Sequence, residues 1–359
     1  MDSVQGGVGA SQVLPYVERI AAGGLHVDLH SFEPRPASGG MAPGVRWHPH
    51  RFGRDGQAAG AVRVAVAASA VRKADLVHAR SDLAAAAVLA TRPKAWVWDV
   101  RSFWVDQRIA LGMIRPGSKV ERTLRSIERQ AGRRATAITT LTHAAIDELA
   151  RRHGRQVAEK ARVVTTCVDL ERFAWSPLPD ARLSLLLSGS YNALYDLPTM
   201  LRFVDALRRL RPADLTLLRP TATPWDNDVL AAGGTVASST FADMPGHVAA
   251  HHAGLSVCRA TDPRALVAAM PTKIGEFLAS GRPVVVNAGL GDCDALLPSS
   301  GTGVVMDGTD TAAADRAAAR LLDLLDDPAT PARCRRLAEE HFNLDTAVAT
   351  LQGIYRSIA

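Results

Sequence analysis

Cysteine is scarce in this chain, and long apolar runs are absent. The four cysteines, Cys167, Cys258, Cys293 and Cys334, lie far apart. No two have the spacing of a metal knuckle or a redox pair. No apolar run approaches the roughly 18 residues of a membrane-spanning helix, and no secretory leader opens the sequence. These absences lead to the expectation of a soluble, cytoplasmic protein. No group of His, Cys, Asp and Glu has metal-ligand spacing, so neither a metal nor another cofactor is expected. Nucleic-acid binding has only net charge behind it. Lysine is scarce too, since 37 of the 42 basic residues are arginine.

With 359 residues the chain is long enough for two domains. Hydrophobic residues make up 47% and charged residues 22%, an ordinary globular balance. Charge is uneven. Residues 1–175 hold 26 Lys and Arg against 16 Asp and Glu, whereas the remainder holds 16 against 20. A basic first half suits an acidic acceptor or peripheral contact with an anionic membrane surface. A solvated arginine-rich surface explains it as well.

The stretch 271–286, Pro-Thr-Lys-Ile-Gly-Glu-Phe-Leu-Ala-Ser-Gly-Arg-Pro-Val-Val-Val, organises the chain. Ile274, Phe277 and Leu278 have helical spacing. Pro271 suits a first-turn position, Gly281 stops the helix and Pro283 prevents its continuation. Val284, Val285 and Val286 read as a parallel strand buried on both faces. Lys273 and Glu276 project from neighbouring positions near the helix start. An ammonium beside first-turn amides makes an anion pocket, and a carboxylate there can accept hydroxyl hydrogen bonds, as from a ribose diol. An ordinary solvated helix pair is the alternative.

Strand and helix signals alternate along the whole chain. Strands are predicted at 25–32, 44–50, 75–81, 94–100, 135–141 and 162–167, with helices at 57–73, 82–91, 117–133 and 142–153 between them. Residues 174–181, with two prolines and no periodicity, read as a linker. Strands then return at 183–188, 214–218, 234–237, 255–259, 284–286 and 303–306, and helices close the chain at 311–326, 330–341 and 345–357. Such repeats mean doubly wound parallel sheets, whose ligands bind off the carboxyl ends of the strands. His78, Arg80, Asp99 and Arg101 stand at such ends; Asp99 with Arg101 is also readable as a structural ion pair. Gly7 and Gly9 precede a helical run and can let amides approach a phosphate. A loop of that kind should follow a strand, and none precedes it here, so the first strand is expected to be missing, truncated or mis-started.

The 271–286 segment resembles glycosyltransferase family 4 (glycosyl transferases group 1), whose members carry Pro-x-Lys-x-x-Glu-x-Leu-Ala-x-Gly-x-Pro-Val-Val. The endings His-x-Arg-Ser at 78–81 and Asp-x-Arg-Ser-Phe-Trp at 99–104, and Val168, Asp169 and Phe173, are similar to family members as well. The resemblance implies a GT-B fold, α/β with two Rossmann-like doubly wound domains facing a cleft. Domains are placed at 1–173, acceptor-side, and 182–344, nucleotide-sugar-binding, with the helix 345–359 crossing back to the first. It implies a retaining glycosyltransferase of polysaccharide or glycoconjugate biosynthesis, working without metal. Glu276 would hold the ribose and Lys273 the diphosphate. Gly7, Gly9, Gly189 and Ser190 would line the donor, His78 and Arg80 the acceptor side, and Asp99, Arg101 and Lys273 would take part in catalysis. The acceptor is a glycan, a lipid-linked molecule or a small molecule.

The sequence departs from the family in places. Ala268 replaces a second acidic residue, Asp99 stands where many members have histidine, and Ser190, Tyr191 and Asn192 offer no cation. Arg259 and Arg264 are the substitutes considered. Asp292 reads as a loop-fixing residue, and His251 and His252 as helix-surface residues. These departures keep open a non-catalytic GT-B subunit that binds a partner or a sugar nucleotide. A nicotinamide-dependent oxidoreductase, on Gly7, Gly9 and Asp28, lacks its third glycine because position 12 is Gln.

Overall fold

A computed structural model describes residues 3–36, 39–51, 57–189, 193–259 and 262–359. Its contacts divide the chain into two compact units. The first takes residues up to Thr165, with Asp262–Ala269 and Leu344–Ala359; the second takes Thr166–Thr261 and Met270–Asn343. The division falls after Thr165, ahead of the linker expected at 174–181, and Asp262–Ala269 joins the first unit.

In the first unit, β1 (Val27–Glu33) and β2 (Val45–Arg51) form a parallel pair. A second sheet holds β3 (Leu76–Arg80), β4 (Ala95–Val100), β5 (Ala137–Thr140) and β6 (Ala161–Val163), side by side in chain order and all parallel. Every residue of β4 is buried, as a central parallel strand requires. Trp96 and Trp98 of β4 pack with Val77, Ile138, Leu149 and Ala268, so the position that lacks the family's second acid is a core alanine here. Side-chain caps start helices Lys119–Arg134 and His143–His153: Ser118 accepts from the Glu121 amide and Thr142 from the Ala145 amide. Among the described residues no strand precedes Gly7. The Val4 amide instead donates to Glu33 at the end of β1 (2.9 Å). The last helix, Leu344–Ile358, is tied to the first unit by Arg19 with Asp345 (2.7 Å) and Tyr355 with His78 (2.8 Å).

The second unit is one six-stranded parallel sheet of β7 (Leu183–Ser188), β8 (Ala213–Arg219), β9 (Thr235–Ser238), β10 (Ala253–Ser256), β11 (Val284–Asn287) and β12 (Gly303–Met306). Its order is β12-β11-β10-β7-β8-β9. Leu185, Leu187, Leu215, Leu217 and Leu255 pack against Met200, Phe203 and Leu207 of helix Leu197–Leu210 and Ala317 and Leu321 of helix Thr311–Asp326. The order reverses between β7 and β10. That switch point is where an open α/β sheet leaves a crevice beyond its strand ends.

All twelve expected strands are present, with shifted ends. The helices Trp104–Ala110, Trp225–Ala231 and Cys293–Ser300 are additions, too short to announce themselves by periodicity. The segment after Phe173 is anchored by Arg282, which is fully buried. Its guanidinium donates to the Ser176, Pro177, Ala249 and Ser280 carbonyls at 2.6–2.9 Å. His252 is buried rather than on a helix surface; its Nδ1 accepts from the Ser184 amide (3.2 Å).

Candidate functional site

Helix Thr272–Ala279 carries the second unit's site. Pro271 stands one place earlier than predicted, as the cap, and no side chain caps the first turn. The helix is anchored from below. Phe277 lies over Gly254 of β10, and Gly275 lies against Phe342. Lys273 and Glu276 are 7% and 9% exposed, which rules out the solvated pair. Burial lowers the Lys273 ammonium to about 8, against the pull of Cys258 and Glu276. It raises the Glu276 carboxyl to about 7, against Lys273 and Arg172. The two groups are poised close to neutral pH, and a bound anion restores full charge to the lysine. The Lys273 Nζ lies 4.1 Å over the Tyr195 ring, a cation–π contact.

Gly189 closes the pocket at the end of β7. Its φ of +109° suits glycine alone, and a Cβ there would meet the Lys273 Cε and Nζ at 3.7 Å. Ser190 lies outside the described residues. Arg259 is exposed. Arg264 belongs to the first unit and lies 3.5 Å from Asp262. Asp294 accepts from the Gly289 amide (2.9 Å) and so clamps the loop after β11.

The first unit gathers His78, Arg80, Asp99 and Arg101, as their places at the ends of β3 and β4 predict. Thr139 donates to Asp99 Oδ1 (2.9 Å). Arg80 and His78 lie 3.4 and 3.5 Å from Oδ2, and Arg101 lies 3.7 Å from Oδ1. Burial alone would raise the Asp99 carboxyl. The Arg101 charge, the His78 hydrogen bond and Arg80 outweigh it and hold Asp99 well below the usual carboxylate range. So stabilised an anion is a weak base. With His78 Nε2 toward Asp99, Nδ1 shares a hydrogen bond with the Tyr355 hydroxyl (2.8 Å). Ser81, the next residue after β3, has φ 79° and ψ 169°, a conformation nearly confined to glycine.

Gly7 and Gly9 differ from each other. Gly7 is exposed, with φ +55° and open space around it. Gly9 is buried, and a Cβ there would lie 1.9 Å from the Ser3 carbonyl oxygen. Its missing side chain makes room for the chain's own backbone, not for a ligand.

Three residues near these sites escaped sequence reasoning. Arg172 stands within the Val168–Phe173 ending, yet nothing in its spacing shows that its guanidinium lies 3.6 Å over Phe241 and acts on Glu276. Tyr195 sits in an irregular loop and Tyr355 on a helix far along the chain. One signal was available: Lys273 is the sole lysine after Lys160. Among the described residues no group of three or more His, Cys, Asp and Glu could hold a metal, and no helix is long and apolar enough to cross a membrane.

No family model and no curated protein matches this sequence. Solved structures do resemble it. Sucrose-phosphate synthase from Thermosynechococcus elongatus superposes with a TM-score of 0.74 at 16% identity, over 96% of this chain and 91% of that one. Anabaena HepE in complex with UDP and glucose gives 0.70 at 15%, over 99% and 98%. WaaG, a glycosyltransferase involved in lipopolysaccharide biosynthesis, gives 0.70 at 15%, over 97% and 96%. At such identities the likeness is one of fold. The chain has the GT-B architecture, α/β with two Rossmann-like units.

Proposed function

We propose that this protein is a retaining, metal-independent glycosyltransferase of the family-4 type that moves a sugar from a nucleotide-sugar donor to a hydroxyl acceptor. The observation that carries the reading is the burial of Lys273 and Glu276 on one uncapped helix start, beside Gly189. Burying two ionisable groups is costly unless a ligand uses them. In this reading Glu276 accepts the ribose hydroxyls. Lys273 and the first-turn amides hold the diphosphate, where negative charge grows as the sugar–phosphate bond breaks. The leaving phosphate takes the acceptor proton. A sister structure of HepE holds UDP-glucose, which makes a uridine donor the first choice. The first unit receives the acceptor at His78 and Arg80, and its excess of basic residues suits peripheral contact with an anionic membrane from the cytoplasmic side. A role in polysaccharide or glycoconjugate synthesis is the biological expectation.

The test is thermal stabilisation by UDP, GDP, TDP, ADP and CMP sugars, for the wild type and Glu276→Ala. One nucleotide should stabilise the wild type and bind about tenfold more weakly to the variant, the loss of one charged hydrogen bond. Equal binding by the variant removes Glu276 from the ribose. Binding of a sugar nucleotide without hydrolysis or transfer would mark a non-catalytic subunit instead.

A further inference from the structure

Arg101 is loosely held for so buried a cation. Its side chain is 14% exposed, yet Nη1 reaches Asp99 only at 3.7 Å and the Val164 carbonyl at 3.5 Å. Its Nε is buried without a hydrogen-bond partner among the described residues. Other arginines of the chain are paired closely: Arg125 is bidentate on Asp106 at 2.8 and 3.0 Å, and Arg211 on Asp326 at 2.7 and 2.8 Å. Asp99 cannot do the same for Arg101. Oδ1 already accepts from Thr139, and Arg80 and His78 face Oδ2. A guanidinium withdrawn from water with its donors only partly used is completed by an anion. The group stands beyond the carboxyl ends of β3 and β4, where such sheets take their ligands.

We propose that Arg101, with Arg80, forms an oxyanion subsite for the acceptor, so that the acceptor carries a phosphate ester or a carboxylate near the hydroxyl that is glycosylated. The inference rests on the transferase reading and deepens it by naming a substrate class. The planar guanidinium fork matches both oxyanions.

Inorganic phosphate is the probe, with the full chain titrated calorimetrically at constant ionic strength. The titration is made in a Lys273→Met background, which removes the donor-side ammonium. Phosphate is expected to bind Lys273→Met, and adding Arg101→Gln should weaken it about tenfold, the loss of a charged hydrogen bond. A parallel titration with acetate separates the sources. Arg101-dependent binding of acetate points to a carboxylate acceptor, and binding of phosphate alone to a phosphate ester; either supports the subsite. Absence of phosphate binding in Lys273→Met, or equal binding after Arg101→Gln, overturns it. Should the Arg101→Gln protein not fold, Arg101→Lys keeps the charge and removes the fork, and an unchanged affinity there overturns the proposal equally. Failure of the nucleotide panel leaves this readout untouched, so the two readings fail separately.

Discussion

The Phe277 ring occupies the space that a side chain at position 254 would need. A Cβ built on Gly254 would lie 2.2 Å from the ring's Cδ2. Gly254 is held in β10 between β7 and β11, so the strand cannot withdraw. The helix bearing Lys273 and Glu276 would have to move. Gly254→Ala is therefore expected to cost about 1–3 kcal/mol of stability by overpacking and to weaken nucleotide binding. Urea unfolding and a nucleotide titration check both. Unchanged values would show that the ring finds another place without disturbing the helix.

The pH dependence of stability should carry a signature of the buried pair. Glu276 is raised from 4.5 to about 7, so the folded state holds its proton where the unfolded state has lost it, and stability falls as pH rises from 4.5 to about 7. Lys273 is lowered from 10.5 to about 8, so its contribution rises again as pH goes from about 8 to 10.5. Melting temperatures of the ligand-free protein should therefore show a dip between about pH 7 and 8 relative to a Glu276→Gln, Lys273→Met double variant. Parallel curves for the two proteins would contradict the burial of these charges.

Arg282 should be a structural residue and nothing more. Arg282→Met leaves the Ser176, Pro177 and Ala249 carbonyls without their buried donor. A loss of about 1–3 kcal/mol for each carbonyl left unsatisfied is expected. Denaturant unfolding measures it. A loss under about 1 kcal/mol would mean that water replaces the guanidinium.

Asp99→Asn should destabilise the first unit by about 2–4 kcal/mol near neutral pH, because His78, Arg80 and Arg101 lose their shared anion. The folded-state carboxyl is depressed, so its stabilisation is present above 3.8 and is lost as pH falls below it. The gap between wild type and variant should narrow under strong acid. A variant as stable as the wild type at pH 7 would show that His78, Arg80 and Arg101 need no carboxylate.

Much of this protein is written in local sequence. Runs such as Val284–Asn287 and Ala95–Val100 are apolar along their length because parallel strands bury both faces, so all twelve strands are visible without tertiary information. The 271–286 stretch likewise announces its helix, its glycine stop and its two charged residues. Their protonation is another matter. Whether Lys273 and Glu276 are solvated or buried depends on Tyr195, Cys258 and Arg172, which come from other parts of the chain. The same holds for the glycines: Gly7 and Gly9 look alike in sequence, but only the passage of Ser3 and Val4 over Gly9 makes one of them a packing residue. Tyr355 reaches His78 across 277 positions, and Arg282 gathers carbonyls from 33 to 106 positions away. Periodicity reports the face a residue turns to its own element. It carries no information on which distant backbone or charge meets that face, and burial, charge balance and pKa all depend on that meeting. The sequence alone determined the elements, their order and the helix that bears the site. Tertiary contacts decided which charges are withdrawn from water, and so which of them a ligand must complete.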